Sequence, residues 1–238
     1  MPVILERDEI LQLLQRRKIG CHSSPLSINW REIINLHVDV QPVRQPAPIY
    51  PVHRRIIVAL TVGDKFPAFV LPVQQGVSAL PAGETIDTGD TGGKWKVVFF
   101  WPKDFTFICP TEIIGYNELK KDFEDRDAVL IGASTDTDFV HFAWRKSDER
   151  LAACDFPWIA DNQKKLSNAL GIVDPEAGVT YRATYIVDPH NVIQHVTVNG
   201  LNQGRNPAEA LRVLDALQTD ELCPCNWKAG EEVLKPAA

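Results

Sequence analysis

The spacing of hydrophobic positions predicts four β-strands after residue 58. Residues 95–101 and 128–134 are nearly continuous runs of apolar residues, which is typical of strands buried on both faces of a sheet. Residues 182–187 and 192–198 are separated by the turn sequence Asp-Pro-His-Asn, which predicts a β-hairpin. The predicted sheet therefore contains two buried strands and a hairpin.

Four helices are predicted from apolar residues at helical spacing. The first has Pro110 in its first turn, and the last covers residues 207–218 with Asn206 as its N-terminal cap. Between them, helices are expected over residues 138–150 and 162–170, the second ending at Gly171. The side chains expected to face the core are Ile113, Ile114, Leu119 and Phe123, then Phe139, Phe142, Ala143 and Trp144, then Leu211, Leu214 and Leu217. This alternation predicts a three-layer α/β domain with a mixed sheet.

The first 57 residues differ in composition from the rest of the chain. Four prolines, Pro42, Pro46, Pro48 and Pro51, remove backbone donors and fix φ over a short stretch. We therefore expect residues 1–57 to be a disordered or mis-assigned N-terminal extension. The alternative is a helical appendage over residues 6–18 that docks on the domain. Residues 58–220 form the predicted domain, and residues 221–238 form a polar C-terminal tail.

Composition and charge exclude several classes of protein. The 25 basic and 31 acidic side chains give a net charge of −6, so nucleic acid has no general reason to bind. No apolar run approaches the roughly 20 residues that span a bilayer, and the first residues lack the apolar core of a signal peptide. We therefore expect a cytoplasmic protein that binds neither nucleic acid nor membrane.

The five cysteines, Cys21, Cys109, Cys154, Cys223 and Cys225, are an odd number in a chain long enough to bury its own core. This argues against a secreted disulfide scaffold. Cys109 is the most informative because it lies at the predicted start of a helix. There the helix dipole and unpaired backbone N–H groups favour the thiolate, which is the nucleophilic form. The alternative is a buried structural cysteine.

A Cys-x-Cys pair, Cys223 and Cys225, lies in the polar tail. The two thiols are too close in sequence for an easy mutual disulfide, and no second ligand pair accompanies them to complete a zinc site. A thiol on a mobile tail can instead capture a sulfenic acid formed elsewhere and give a disulfide that a reductase can reverse. Incidental exposed thiols are the alternative.

These segments together resemble the two-cysteine peroxiredoxins of the alkyl hydroperoxide reductase C type. The resemblance rests on the motif Pro102-x-x-x-Thr106-x-x-Cys109, on the Pro-Thr-Glu after it, and on Leu-Cys-Pro-Cys-Asn-Trp at residues 222–227. It covers roughly residues 59–230, and FFWPKDFTF together with the Cys-x-Cys pair is similar to the actinobacterial branch. The resemblance implies a thioredoxin-like fold, an α/β class in which helices flank a mixed central sheet.

The resemblance also implies roles for individual residues. Cys109 matches the peroxidatic cysteine, whose thiolate attacks a hydroperoxide and becomes a sulfenic acid. Thr106 matches the hydroxyl that hydrogen-bonds the peroxide, and Pro102 matches the proline that shields the thiol. Arg182 matches the guanidinium that stabilises the thiolate and the transition state, and Glu112 matches a carboxylate that holds arginine in place.

The resemblance further implies how the cycle is completed. Cys223 matches the resolving cysteine, which in this family comes from the neighbouring subunit of an antiparallel homodimer, and such dimers commonly build rings. Cys225 is not cysteine in most relatives, so it is an alternative resolver or a relay to the reductant. The implied partners are hydroperoxides and a dithiol reductant, and no metal, haem, flavin or other cofactor is expected. The reductant is an alkyl hydroperoxidase D-like adaptor, a thioredoxin-like protein or a flavoprotein disulfide reductase.

The leading prediction is therefore a thiol peroxidase that defends against oxidative stress. The alternative is a ring-forming holdase chaperone or a peroxide sensor with minor turnover. A thioredoxin-like disulfide exchanger is disfavoured because Thr106 and Glu112 occupy the positions where a Cys-x-x-Cys motif needs its second cysteine. Cys21 and Cys154 lie outside the family motifs and are expected to be inert. No function is assigned to the histidines.

Overall fold

The computed structural model describes residues 59–90 and 92–235. The predictions made for residues 1–57, including the helix over residues 6–18, lie outside the described residues, and the boundary at residue 58 stays a prediction. The elements are, in chain order, β1 (Val70–Gln74), β2 (Thr85–Asp87), β3 (Trp95–Phe100), α1 (Cys109–Glu118), α2 (Lys120–Glu124), β4 (Ala128–Ser134), α3 (Asp138–Ser147), α4 (Glu149–Ala152), β5 (Trp158–Ala160), α5 (Lys165–Leu170), β6 (Arg182–Val187), β7 (Ile193–Asn199) and α6 (Pro207–Thr219).

The strands form one mixed sheet in the order β2-β1-β5-β4-β3-β6-β7. Strand β4 is parallel to both of its neighbours, β3 and β5, whereas the other adjacent pairs are antiparallel. Strand β3 lies near the centre, and its antiparallel partner β6 begins at Arg182. The start of β6 therefore lies at the same edge of the sheet as the end of β3.

Successive side chains of β3 point to opposite faces of the sheet. Each face is covered by a separate hydrophobic core. Val97, Phe99 and Trp101 belong to the core that includes residues of α1, α2, α3, α4 and α6. Val98 and Phe100 belong to the second core, which includes residues of α5. This arrangement of helices on both faces of a mixed sheet confirms the predicted α/β class.

Several predicted element bounds need correction. The helix expected over residues 138–150 ends at Ser147, because Asp148 is extended and its side chain accepts a hydrogen bond from the Arg150 N–H to start α4. The helix expected over residues 162–170 begins only at Lys165. The short strands β1, β2 and β5 were not predicted from the sequence. Asn206 caps α6 as predicted, accepting from the Ala208 N–H at 3.1 Å.

The buried face of α3 differs most from the prediction. Phe139 and Ala143, which were expected to face the core, are exposed, with 58% of the Phe139 surface accessible. Trp144 is buried as predicted, and His141 and Arg145 are buried beside it. The polar side chains can be buried because structure elsewhere in the chain supplies their hydrogen-bond partners. No helix in the described part of the chain is long and apolar enough to cross a membrane.

Candidate active site

Cys109 lies at the point where the loop after β3 turns into a helix. It is the first residue of α1 and is fully buried. Pro110 follows it in the first turn, where a missing N–H costs nothing, and the residue before the helix, Ile108, provides no side-chain cap. The Cys109 sulfur therefore lies at the positive end of α1, where an anion is stabilised.

Arg182 brings a permanent positive charge to this sulfur. It opens β6, and its Nη1 donates to Cys109 Sγ at 3.4 Å. Its Nε donates to the carbonyl oxygen of Leu201 at 2.9 Å, which fixes the plane of the guanidinium. The pairing of β3 with β6 thus explains how residues 73 positions apart in sequence meet.

The carboxylate of Glu112, one turn into α1, orients two guanidinium groups. Its Oε2 accepts from Arg182 Nη1 at 2.6 Å, and its Oε1 accepts from Arg205 Nε at 2.8 Å. All three side chains are at most 4% exposed. Two positive charges and one negative charge leave one positive charge beside the sulfur. With a Cys109 thiolate, the buried cluster of Cys109, Glu112 and the two arginines would have no net charge.

Arg205 is a site residue that sequence reasoning did not assign. Its Nη1 donates to the carbonyl oxygen of Ala183 at 2.6 Å, and its guanidinium lies 5.4 Å from the ring of Phe99 and 5.8 Å from that of Tyr116. Burial raises the pKa of Tyr116, whose hydroxyl lies 2.9 Å from Thr184 Oγ1. The only sequence signal for Arg205 is its place between Gly204 and the helix cap Asn206.

A cavity of about 270 Å³ opens beside Cys109. Its wall brings together four residues that were predicted for the site, Pro102, Thr106, Cys109 and Arg182. Thr106 Oγ1 donates to the carbonyl oxygen of Lys103 at 3.0 Å, so the hydroxyl oxygen can accept a hydrogen bond from a ligand. The remaining lining residues are mostly apolar and include Phe107, Ile108, Ala177, Val179 and Leu201. The cavity suits a small molecule with one polar end.

The structure does not bring Cys223 and Cys225 to this cavity. Both follow α6; Cys223 is half-buried, with Sγ 3.4 Å from Thr219 Oγ1, and Cys225 is exposed. Part of this segment packs against α6. Trp227 is buried, and its carbonyl oxygen accepts from Arg212 of α6 at 2.9 Å.

The four cysteines of the described residues are free thiols. Cys154 lies in the core outside the candidate site, where burial raises its pKa to about 11. A thiol with this pKa is almost entirely protonated at neutral pH, which fits the inert role predicted for Cys154. Within the described residues, no group of three or more His, Cys, Asp or Glu side chains could hold a metal ion.

The fold is a mixed sheet flanked by helices, and its candidate site places a buried cysteine at the start of a helix beside an arginine. A family model, the AhpC/TSA family, matches residues 62–196. Alkyl hydroperoxide reductase C of Mycobacterium tuberculosis is 49% identical over 183 residues, covering 74% of this chain and 93% of that protein. The protein of the same description from Mycolicibacterium smegmatis is 48% identical with the same coverage.

Solved structures agree with the sequence comparison. Mycobacterium tuberculosis AhpC matches with a TM-score of 0.66 and 48% identity, covering 72% of this chain and 100% of that chain. The reduced 2-Cys peroxiredoxin of Plasmodium vivax matches with a TM-score of 0.69 and 29% identity, covering 75% and 94%. The chain belongs to the AhpC/TSA family. The predicted peroxiredoxin resemblance, thioredoxin-like fold and peroxidase class are thereby confirmed.

Proposed function

We propose that the chain reduces hydrogen peroxide and organic hydroperoxides as a two-cysteine thiol peroxidase, with Cys109 as the peroxidatic cysteine. One observation carries this proposal: Cys109 Sγ lies at the N-terminus of α1, 3.4 Å from Arg182 Nη1, on a cavity that admits a small molecule. A thiolate in this position is stabilised by both the helix and the guanidinium, and a nucleophile needs that form.

The first step is a two-electron oxidation of the sulfur. The Cys109 thiolate attacks the terminal oxygen of ROOH, the O–O bond breaks, and the sulfur becomes a sulfenic acid while RO⁻ takes a proton and leaves as an alcohol, or as water from hydrogen peroxide. Arg182 donates a hydrogen bond to the sulfur and can donate another to the leaving oxygen, where negative charge develops as the O–O bond breaks. The Thr106 hydroxyl oxygen accepts a hydrogen bond from the hydroperoxide O–H, and Pro102 closes the cavity wall against bulk water.

The second step joins two cysteines. The thiol of Cys223 of the partner subunit condenses with the Cys109 sulfenic acid, releasing water and forming a disulfide, and Cys225 is an alternative resolver or a relay. An intersubunit reaction is supported by the position of Cys223, which does not line the cavity of its own chain. Within the described residues β7 is an edge strand that could pair with a second copy, so we propose an antiparallel homodimer that builds into a ring.

The third step needs an external dithiol, which donates two electrons and two protons to restore both cysteines. Among the reductants implied by the resemblance, we propose an alkyl hydroperoxidase D-like adaptor, because similarity is high to actinobacterial relatives. A thioredoxin-like protein or a flavoprotein disulfide reductase is the alternative. A reducing cytoplasm is the proposed location, since the cycle begins from free thiols.

The proposal is tested by intact mass spectrometry and peroxide consumption after one equivalent of hydrogen peroxide. Cys109→Ser is expected to consume no peroxide, since a serine hydroxyl is barely ionised at neutral pH, whereas Cys154→Ser serves as a matched control and should retain turnover. Cys223→Ser should accumulate the Cys109 sulfenic acid, which over-oxidises when more peroxide is added, and Cys225→Ser should still form a covalent dimer. Residual turnover above about 1% of wild type in Cys109→Ser would rule out the assignment.

A further inference from the structure

The cavity beside Cys109 changes in character from its floor to its opening. Its floor is polar, because the buried residues Cys109 and Arg182 line it. Its wall is apolar and half-buried, and includes Ile108, Val179 and Leu201. A bound molecule would therefore place its reactive end at the sulfur and its apolar body against this wall, and its other end would reach the opening.

Two polar residues lie at the opening, Lys103 and Asn202, and both are exposed. Within residues 59–90 and 92–235, neither side chain has a hydrogen-bond or ion-pair partner. Both can donate hydrogen bonds, Lys103 from an ammonium group and Asn202 from an amide. The opening therefore offers two donors that a ligand can use.

The positive charge at the opening is unpaired, unlike the positive charge at the floor. The Arg182 guanidinium lies 2.6 Å from the Glu112 carboxylate, whereas the Lys103 ammonium has no acidic partner in the described part of the chain. Arg182 and Lys103 are also the only charged residues among those that line the cavity in this part of the chain. A negative charge on a ligand would therefore be attracted to the end of the cavity that is farther from the sulfur.

The acidic residues next to the lining do not cancel the charge of Lys103. The carboxylate of Asp104, which follows Lys103, is 1% exposed and accepts a hydrogen bond from Trp101 Nε1 inside the protein. Glu176 precedes the lining residue Ala177 and is exposed, but among the described residues it forms no ion pair with Lys103. The lining of the opening thus carries one positive charge, on a chain whose net charge is −6.

We propose that this cavity selects organic hydroperoxides that carry a carboxylate at the end opposite the hydroperoxide group. Lys103 is the specificity-determining residue that attracts the carboxylate, and Asn202 is a second donor to it. The apolar body of the substrate packs between them and Cys109, against Ile108, Val179 and Leu201.

The carboxylate is not changed in the reaction. The Cys109 sulfur takes the terminal oxygen and becomes a sulfenic acid, the O–O bond breaks, and the substrate leaves as a hydroxy acid after its alkoxide takes a proton. This inference rests on the function proposed above for Cys109, because it names the substrate class of the same site. Binding of the hydroxy acid can nevertheless be measured without any turnover.

The kinetic test uses two substrates with the same body, 4-(2-hydroperoxypropan-2-yl)benzoate and its methyl ester. The rate constant for oxidation of Cys109 is measured for each at neutral pH by stopped-flow fluorescence, and the carboxylate-to-ester ratio is compared between variants. Lys103→Gln should lower this ratio by about two- to fivefold, the usual size of an exposed charge pair. Lys103→Glu should lower it by about four- to 25-fold, because the charge changes by two units instead of one.

A matched control separates the opening from the net charge of the protein. Lys121→Gln removes one positive charge from α2, which follows the end of α1 opposite Cys109, and should leave the ratio unchanged. Asn202→Asp adds a negative charge at the opening while keeping Lys103, and should lower the ratio at least about twofold. An unchanged ratio in Lys103→Glu, or an equal fall in Lys121→Gln, would overturn the proposal.

Salt provides a check that does not depend on any one substitution. Raising the ionic strength from 0.1 M to 1 M shortens the screening length from about 10 Å to about 3 Å. The difference in ratio between wild type and Lys103→Gln should therefore shrink. A difference of the same size at both salt concentrations would show that Lys103 acts by shape and not by charge, and would overturn the proposal.

A binding measurement distinguishes failure of this inference from failure of the proposed function. The alcohol 4-(2-hydroxypropan-2-yl)benzoate cannot oxidise Cys109, and its binding is followed by the NMR shifts of the Lys103 and Asn202 amides. If it binds more tightly than its methyl ester in wild type but not in Lys103→Glu, while no hydroperoxide oxidises Cys109, the site at the opening stands and the proposed function fails. If hydrogen peroxide oxidises Cys109 but neither the ratio nor the binding depends on Lys103, the proposed function stands and this inference is overturned.

Discussion

The substitution Glu112→Gln tests the charge arrangement around Cys109 most directly. The carboxylate accepts from Arg182 Nη1 at 2.6 Å, from Arg205 Nε at 2.8 Å and from the Arg205 backbone N–H at 3.0 Å. An amide keeps one acceptor oxygen but turns an N–H₂ group toward one of the arginines, where it meets another donor. It also leaves two buried guanidinium groups without a counter-charge.

The size of the effect follows from the burial of the pair. Removing one partner of a buried ion pair costs about 3–5 kcal/mol, because the remaining charge is left uncompensated. For a domain of this size each kcal/mol corresponds to roughly 2–4 °C, so the melting temperature should fall by about 6–20 °C. Arg182 would lose the contact that orients it toward Cys109 Sγ, and we expect the single-turnover reaction with peroxide to slow by about 10- to 100-fold.

Stability is measured by urea unfolding and the reaction by stopped-flow mixing with limiting hydrogen peroxide. Glu209→Gln is the matched control, because Glu209 also accepts two hydrogen bonds from one arginine, Arg212, but on the protein surface. Its effect should stay below about 1 kcal/mol, as for other surface pairs. If Glu112→Gln costs no more than Glu209→Gln, the buried charges do not organise the site as described.

Three further predictions follow from other side chains. Arg182→Ala should slow the single-turnover reaction of Cys109 with peroxide by about 10²- to 10³-fold, since one donor to the reacting group is typically worth about 2.7–4 kcal/mol; a loss below tenfold in stopped-flow traces would contradict its role. Burial raises the pKa of Cys154 to about 11, so iodoacetamide at pH 8.5 should leave Cys154 unmodified in the native protein while Cys225 reacts, and equal labelling by peptide mass spectrometry would count against this. Burial lowers the pKa of Lys96 from 10.5 to about 8, so the unfolded chain binds more protons between these values, and stability relative to Lys96→Met should rise from pH 8 to pH 10.5 in urea titrations; a flat difference would refute the shift.

The parts of the fold that could be predicted are those whose signal is local. Strands β3 and β4 are long apolar runs, and α6 has a cap, a proline and an apolar face within one segment. Strands β1, β2 and β5 have three to five residues each, and β1 contains Pro72. They are strands because distant residues pair with them, as Val73 does with Ile159, and no local pattern reports such a partner.

The candidate site likewise combines contacts between residues that are close in sequence with contacts between residues that are far apart in sequence. Cys109 and Glu112 share one helical turn, so their proximity follows from the helix alone. Arg205 reaches Glu112 from 93 residues away, and Asp104 reaches His141 across 37 residues. A buried polar side chain does not fit an amphipathic pattern until its partner is known, which is why Phe139 and Ala143 were wrongly assigned to the inward face of α3 in place of His141 and Arg145.

The charges of the site also predict how oxidation affects the loop. With Cys109 as a thiolate, two arginines are balanced by one carboxylate and one sulfur, whereas a neutral sulfenic acid leaves one buried positive charge uncompensated. The loop of residues 102–108 should therefore be held less firmly in its observed position after reaction with peroxide. Two alkylating agents of similar size separate charge from bulk: iodoacetamide makes the sulfur neutral, and iodoacetate adds a carboxylate. Amide hydrogen exchange in residues 102–108 should be faster in the first adduct, and equal rates would show that the charge balance does not hold the loop.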